Sequence, residues 1–104
     1  MKRIDYRCGG KLAVESVIEL YNASGLGERR PVDDPEIFAD MLRHAKLTVT
    51  AWDGDLLVGI ARALTDFSYL GYLSDLAVRR SHQQLGIGVQ LIQKTREKWG
   101  RAPC

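Results

Sequence analysis

The sequence predicts an α+β fold in which three helices pack on a mainly antiparallel four-stranded sheet. Three observations carry this expectation. An amphipathic run lies near the N-terminus, a block of alternating β-branched residues broken by a turn lies in the middle, and a glycine-rich junction leads into a last helical pattern. The chain has 104 residues, enough for one modest core, so residues 1–104 are read as a single domain.

The elements follow in order. Ile4 to Arg7 alternates apolar and polar residues before Gly9-Gly10, which suits a first strand. Lys11 to Ala23 sets Val14, Val17, Ile18 and Tyr21 at helical spacing, with Glu15 and Glu19 on the other side. The breakers and charges of Ser24 to Pro31 mark a loop. Asp33 or Asp34 can then cap a second helix with Pro35 in its first turn and Phe38, Met41, Leu42 and Ala45 on one face; Asp33 and Glu36 have the spacing of a capping box. Leu47 to Trp52 reads as a strand, Asp53-Gly54-Asp55 as a hairpin turn, and Leu56 to Leu64 as the returning strand, whose Gly59 marks a bulge or a close backbone approach. A further strand spans Tyr69 to Val78, with Tyr72, Ser74, Leu76 and Val78 on one face and Leu73, Asp75 and Ala77 on the other. Ile87, Leu91, Ile92, Thr95 and Trp99 then share a helical face, ended by Gly100 and Pro103.

Composition narrows the class. With 45% hydrophobic and 27% charged residues the chain has an ordinary globular balance. No apolar run approaches the roughly 18 residues of a membrane span, and no apolar segment follows Lys2-Arg3, so no membrane partner and a cytoplasmic location are expected. Cys8 and Cys104 lack metal-ligand spacing. A disulfide between them is disfavoured in a reducing compartment, and neither thiol is given a role. No His/Cys/Asp/Glu cluster suggests a metal. Residues 1–78 carry nine Lys/Arg against twelve Asp/Glu, whereas residues 79–104 carry six against one, so the end with the glycine junction is basic and should attract an anion. Nucleic acid is disfavoured as that anion, because no recognition motif or aromatic platform accompanies the charges.

The junction itself reads "HQQLGIGVQL" over residues 82–91. A helix that starts at a glycine-rich loop offers unpaired backbone N–H groups and the positive end of its dipole to a phosphate. The plainer alternative, glycines that ease a strand-to-helix turn, stays open on this feature alone. A P-loop is excluded by the missing Gly-Lys-Ser/Thr tail. A dinucleotide fold is excluded by the missing third glycine and acidic residue.

The longer stretch "LSDLAVRRSHQQLGIGVQLI" resembles the signature of the GNAT superfamily of N-acetyltransferases, in which a hydrophobic-x-Val strand end leads to Q/R-x-x-G-x-G/A and a helix. Leu76-Ala77-Val78 and Gln83-Gln84-Leu85-Gly86-Ile87-Gly88 are the counterparts, and the element order matches along the whole chain. Two positions depart from the pattern: Arg80 stands where proline is usual and Gln84 where glycine is frequent. The resemblance implies a transfer of an acetyl group from acetyl-CoA to a primary amine, on a small molecule or a peptide. It implies that the backbone of Leu76, Ala77 and Val78 bonds the pantetheine arm, and that N–H groups from Gln84 to Val89, with Gln83 beside them, surround the pyrophosphate. Acceptor contacts would come from Glu28-Arg29-Arg30 and Asp33-Asp34, for which a charged surface loop is the plainer reading.

Members of that family continue with further strands and a helix, so a domain lacking these C-terminal elements, with weak or no activity, is expected. A non-catalytic module that binds coenzyme A or a nucleotide is the competing reading. With those elements missing, the signature strand would be an open edge, through which two chains would form a homodimer. For catalysis, Asp75 and Tyr72 are the candidates for acid–base work, with Ser74 and His82 behind them. The plainer roles are a hydrogen-bonded structural carboxylate, a packing tyrosine, a sheet serine and a solvated loop histidine.

Overall fold

The computed structural model describes residues 3–9, 12–26, 33–44, 47–65 and 71–98. Its elements are β1 (Asp5–Cys8), α1 (Val14–Ser24), α2 (Pro35–His44), β2 (Leu47–Asp53), β3 (Leu56–Thr65), β4 (Gly71–Val78) and α3 (Ile87–Lys98), with a 3-10 turn over Arg80–His82. The strands form one sheet in the order β1-β2-β3-β4, and every pairing is antiparallel. The α+β class and the element order expected from the sequence are what the fold has. Ala45, Trp99, Gly100 and Pro103 lie outside the described residues. No helix among those described is long and apolar enough to cross a membrane.

The sheet separates two cores. On one face α3 sets Ile87 and Leu91 against Leu47, Val49 and Ala51 of β2 and Val58, Ala61 and Ala63 of β3. On the other, α1 and α2 set Val17, Leu20, Tyr21 and Phe38 against Leu57, Ile60 and Ala77. The Tyr21 and Phe38 rings meet edge to face at 4.9 Å, the arrangement their quadrupoles favour.

The ends of the helices differ from expectation in detail. Ala13 is extended and offers no side-chain cap, so α1 starts at Val14 rather than Lys11. At α2 the Asp34 carboxylate accepts the Ile37 N–H at 3.2 Å and its carbonyl accepts the Phe38 N–H at 3.0 Å. The cap is therefore Asp34, and the Asp33–Glu36 box is out of register because the third helical residue is Ile37. Cys8 is disulfide-bonded, against the expectation of an unassigned thiol; Cys104 lies outside the described residues.

Two bulges position the site. The first falls at Val58, between the pairs Ala51↔Gly59 and Trp52↔Leu57. It turns Val58 and Gly59 toward the same face, where a Cβ on Gly59 would stand 2.9 Å from Leu91 Cδ1 and 3.2 Å from Ile87 Cγ2. A glycine here lets the first turns of α3 sit directly on the sheet. The second falls at Ser74, between Arg62↔Asp75 and Ala63↔Leu73. It corrects the strand reading: Leu73 joins Leu76 and Val78 on the α3 face, while Asp75 and Ala77 stay on the α1 face. One extra residue shifts the alternation by one, which a period-two reading of β4 cannot register.

Candidate functional site

β4 ends at Val78 and the chain makes the Arg80–His82 turn before entering α3. Gln83 is extended, Gln84 and Gly86 have φ of 67° and 80°, and the first hydrogen bond of α3 runs from the Gln90 N–H to the Gly86 carbonyl at 3.1 Å. The N–H groups of Ile87, Gly88 and Val89 therefore have no acceptor within the helix. Gly86 is glycine because of its backbone, since a Cβ there would meet nothing within 4 Å. Gln84 carries the left-handed conformation with a side chain, at a cost of about 1 kcal/mol, which accounts for glycine being frequent at this position in the motif. A Cβ on Gly88 would rest 3.9 Å from Leu76 and Val78, ordinary contact that leaves room for alanine.

A cleft of about 390 Å³ opens here, lined by Leu76, Val78, His82, Gln83, Gln84, Gly86, Ile87, Gly88 and Val89. Most of the residues expected from the sequence thus share one surface. Leu85 stands apart from the lining with 60% exposure, and Ala77 points into the α1 core. Ala77 instead joins Ser24, Gly25, Leu26, Leu76, Val78, Arg80 and Gln83 around a neighbouring cleft of about 370 Å³.

The strand edge can be oriented from two hydrogen bonds. The Arg79 N–H donates to the Val58 carbonyl of β3 at 2.8 Å, whereas the Val78 carbonyl accepts from Gln83 Nε2 at 2.9 Å. Backbone groups alternate sides along a ladder, so Leu76 and Val78 present theirs to the open edge and Ala77 turns its own toward β3. Among the described residues β4 pairs with β3 alone.

The basic residues are less concentrated here than their sequence positions suggest. Arg79 donates to the Leu57 carbonyl at 2.9 Å and pairs with Glu19 at 2.6 Å. Lys94 lies over the Tyr6 ring at 5.4 Å. Arg80 packs on Gly25, where a Cβ would stand 2.6 Å from its Nη2. Its cation sits at the C-terminal end of α1, which has no basic residue in its own last turn.

The acid–base candidates fall in different surroundings. Asp75 is 3% exposed; its Oδ2 accepts from Arg62 Nη2 at 2.6 Å and Nε at 3.0 Å, and from the Tyr21 hydroxyl at 2.8 Å. Arg62 also donates to Ser74 Oγ at 3.2 Å and to the Met41 carbonyl at 3.4 Å. This is a carboxylate neutralised by Arg62, on the face away from the glycine loop. Tyr72, in β4, pairs with Leu64 of β3, and its side chain lies outside the described part. His82 is not the solvated histidine of the sequence reading: it is 4% exposed, with Nε2 2.9 Å from Asp53 Oδ2 and Nδ1 2.7 Å from Ser81 Oγ. Nothing in the sequence foretold this pair, since the partners stand 29 positions apart and the polar run around His82 has no apolar period. Of the expected acceptor contacts, Asp33 and Asp34 are exposed beside α2, and residues 28–30 lie outside the described residues. Among the described residues no group of His, Cys, Asp and Glu could hold a metal.

Tyr21 gives the network a measurable signature. Burial, and next the charge of Asp75, hold its hydroxyl well above the ordinary 10.0. Above about pH 10 an unfolded tyrosine loses a proton that the folded one keeps, so the unfolded state binds fewer protons and stability falls, by up to about 1.4 kcal/mol per pH unit. Urea unfolding at pH 9 and pH 11 should show this fall in the wild type and a shallower one in Tyr21→Phe. Equal slopes would refute the buried hydroxyl.

The matches to known proteins agree with this geometry. The acetyltransferase (GNAT) family model matches residues 14–102. No curated protein matches the chain. Among solved structures, a GNAT-family acetyltransferase from Streptococcus pneumoniae TIGR4 superposes with a TM-score of 0.78 at 28% identity, covering 96% of this chain and 70% of that one. A probable acetyltransferase of unknown function from meticillin-resistant Staphylococcus aureus does so with 0.72 at 22% identity, covering 89% and 68%. The aminoglycoside N-acetyltransferase AAC(6')-Iy, solved in complex with CoA, reaches 0.69 at 20% identity, covering 93% and 69%. The open-edged strand, the glycine loop and the helix that starts from it form the expected signature, the family model spans most of the sequence, and the chain belongs to the acetyltransferase (GNAT) family.

Proposed function

We propose that this chain binds acetyl-CoA along β4 and the start of α3 and transfers its acetyl group to a primary amine of a small molecule or peptide. The observation that carries this reading is the single cleft joining the Leu76–Val78 edge to the free amides of Ile87, Gly88 and Val89. Pyrophosphate would lie over those amides and the turn from Gln83 to Gly86, with Leu85 at the rim. The pantetheine amides would bond the Leu76 and Val78 backbone, as a neighbouring strand does. Ala77, whose backbone faces β3, would contribute its place in the strand rather than a bond.

In the reaction the amine nitrogen attacks the thioester carbonyl, the carbon–sulfur bond breaks, the amine gives up a proton and the thiolate takes one. Neither cleft is lined by a described carboxylate. The amine proton would therefore not pass directly to a carboxylate such as Asp75, and water would carry it. That same observation favours a second reading, a coenzyme A-binding module without turnover. The open edge of β4 is also suited to a second copy of the chain, as expected from the sequence, and coenzyme and partner would compete for it.

Release of free thiol from acetyl-CoA in the presence of a panel of amines tests the transfer. Amine-dependent release supports it. Coenzyme binding without release for any amine leaves the module, and absence of binding removes both.

A further inference from the structure

Among the described residues that line the cleft beside α3, His82 is the one with an ionisable side chain. Both ring nitrogens are engaged, by Asp53 at 2.9 Å and by Ser81 Oγ at 2.7 Å. These partners serve either charge state. In the neutral ring Nε2–H donates to the carboxylate and Nδ1 accepts the serine hydroxyl proton. In the imidazolium the hydroxyl rotates and Nδ1–H donates to the serine oxygen. The ring can thus gain a proton without losing a hydrogen bond.

The surrounding charges make that proton useful. Asp53 faces the ring from the end of β2. From the strand side, Arg79 is held by Leu57 and Glu19, and Arg80 lines the other cleft. The loop and α3 contribute Gln83, Gln84, Gly86, Ile87, Gly88 and Val89, none of which titrates. An anion in this cleft would meet backbone amides and, beside them, the His82–Asp53 pair, whose net charge a proton on the ring brings from negative to zero.

We propose that the His82–Asp53 pair underlies this cleft and that His82 takes up a proton when a pyrophosphate occupies it. The proposal rests on the reading of the cleft as a pyrophosphate site. By reciprocity the anion raises the ring's hold on its proton by the same factor as the proton raises the affinity for the anion.

The test uses the ring proton signals of the two histidines, His44 and His82, assigned with His44→Gln. The probe is 3'-dephospho-coenzyme A, whose pyrophosphate stays ionised and which lacks the phosphomonoester that would titrate in the same range. With saturating probe the His82 midpoint should rise by about half to one pH unit, and the affinity should fall about three- to tenfold as the pH is raised through the titration. In His82→Gln the affinity should not change with pH. A bound probe with an unmoved midpoint, or a wild-type pH profile in His82→Gln, overturns the proposal and leaves the pyrophosphate reading standing. If the probe shifts no amide signal of Gly86 or Gly88 at any pH, both fall.

Discussion

Replacing Arg62 by methionine is expected to lower the unfolding free energy by about 3–5 kcal/mol, because it strands a buried carboxylate whose charge it neutralises. The Asp75 side chain is fully buried and that of Arg62 is 11% exposed, so solvent screens little of the pair. A domain of this length loses roughly 4–8 °C of midpoint per kcal/mol, which makes the shift exceed about 10 °C. Changing both residues, Arg62→Met with Asp75→Leu, should recover part of the loss, since an apolar pair of similar volume no longer holds an orphaned charge but leaves the buried Tyr21 hydroxyl without its acceptor. Thermal and urea unfolding of the single and double variants measure this. A single variant as stable as the wild type would contradict the buried-pair description, and with it the structural role given to Asp75.

The second large effect concerns the glycine loop. Gly86→Glu is expected to weaken acetyl-CoA binding on the order of 100-fold. A carboxylate a few ångströms from a pyrophosphate at an effective dielectric of about 20 is worth about 3 kcal/mol of repulsion. The open space around the Gly86 Cβ position lets the new side chain project without displacing its neighbours. Its φ of 80° adds a folding cost of about 1–2 kcal/mol that Gly86→Ala shares. Calorimetry on both variants therefore separates charge from conformation: alanine should keep most of the affinity and glutamate should lose it. Equal loss in the two would place the effect in the loop's conformation, and equal retention would remove the phosphate from this loop.

These two sites were unequally legible in the sequence. The helices and strands followed from apolar periodicity, which is a local property of the chain, and the glycine loop followed from backbone requirements that fix residue type at Gly86. The bulges did not follow, because the extra residue at Val58 or Ser74 exists only relative to the partner strand. For that reason Leu73 lies on the face opposite to the one its alternation predicts. The Asp75–Arg62–Tyr21 network joins β4, β3 and α1, and the His82–Asp53 pair joins the loop to the β2 end; each is made by the fold and leaves no spacing to read. The charge tally likewise overstated the basic surroundings of the loop. Arg79 and Lys94 are basic by position and spend their charge on Glu19 and the Tyr6 ring.

Whether β4 and the start of α3 form one coenzyme site is settled by mapping backbone amide signals as acetyl-CoA is added. Changes are expected to concentrate at Leu76, Val78 and Gln84 to Val89. A map that leaves these amides unmoved, or centres instead on the separate pocket of Tyr6, Arg7, Val49 and Lys94, would contradict such a site.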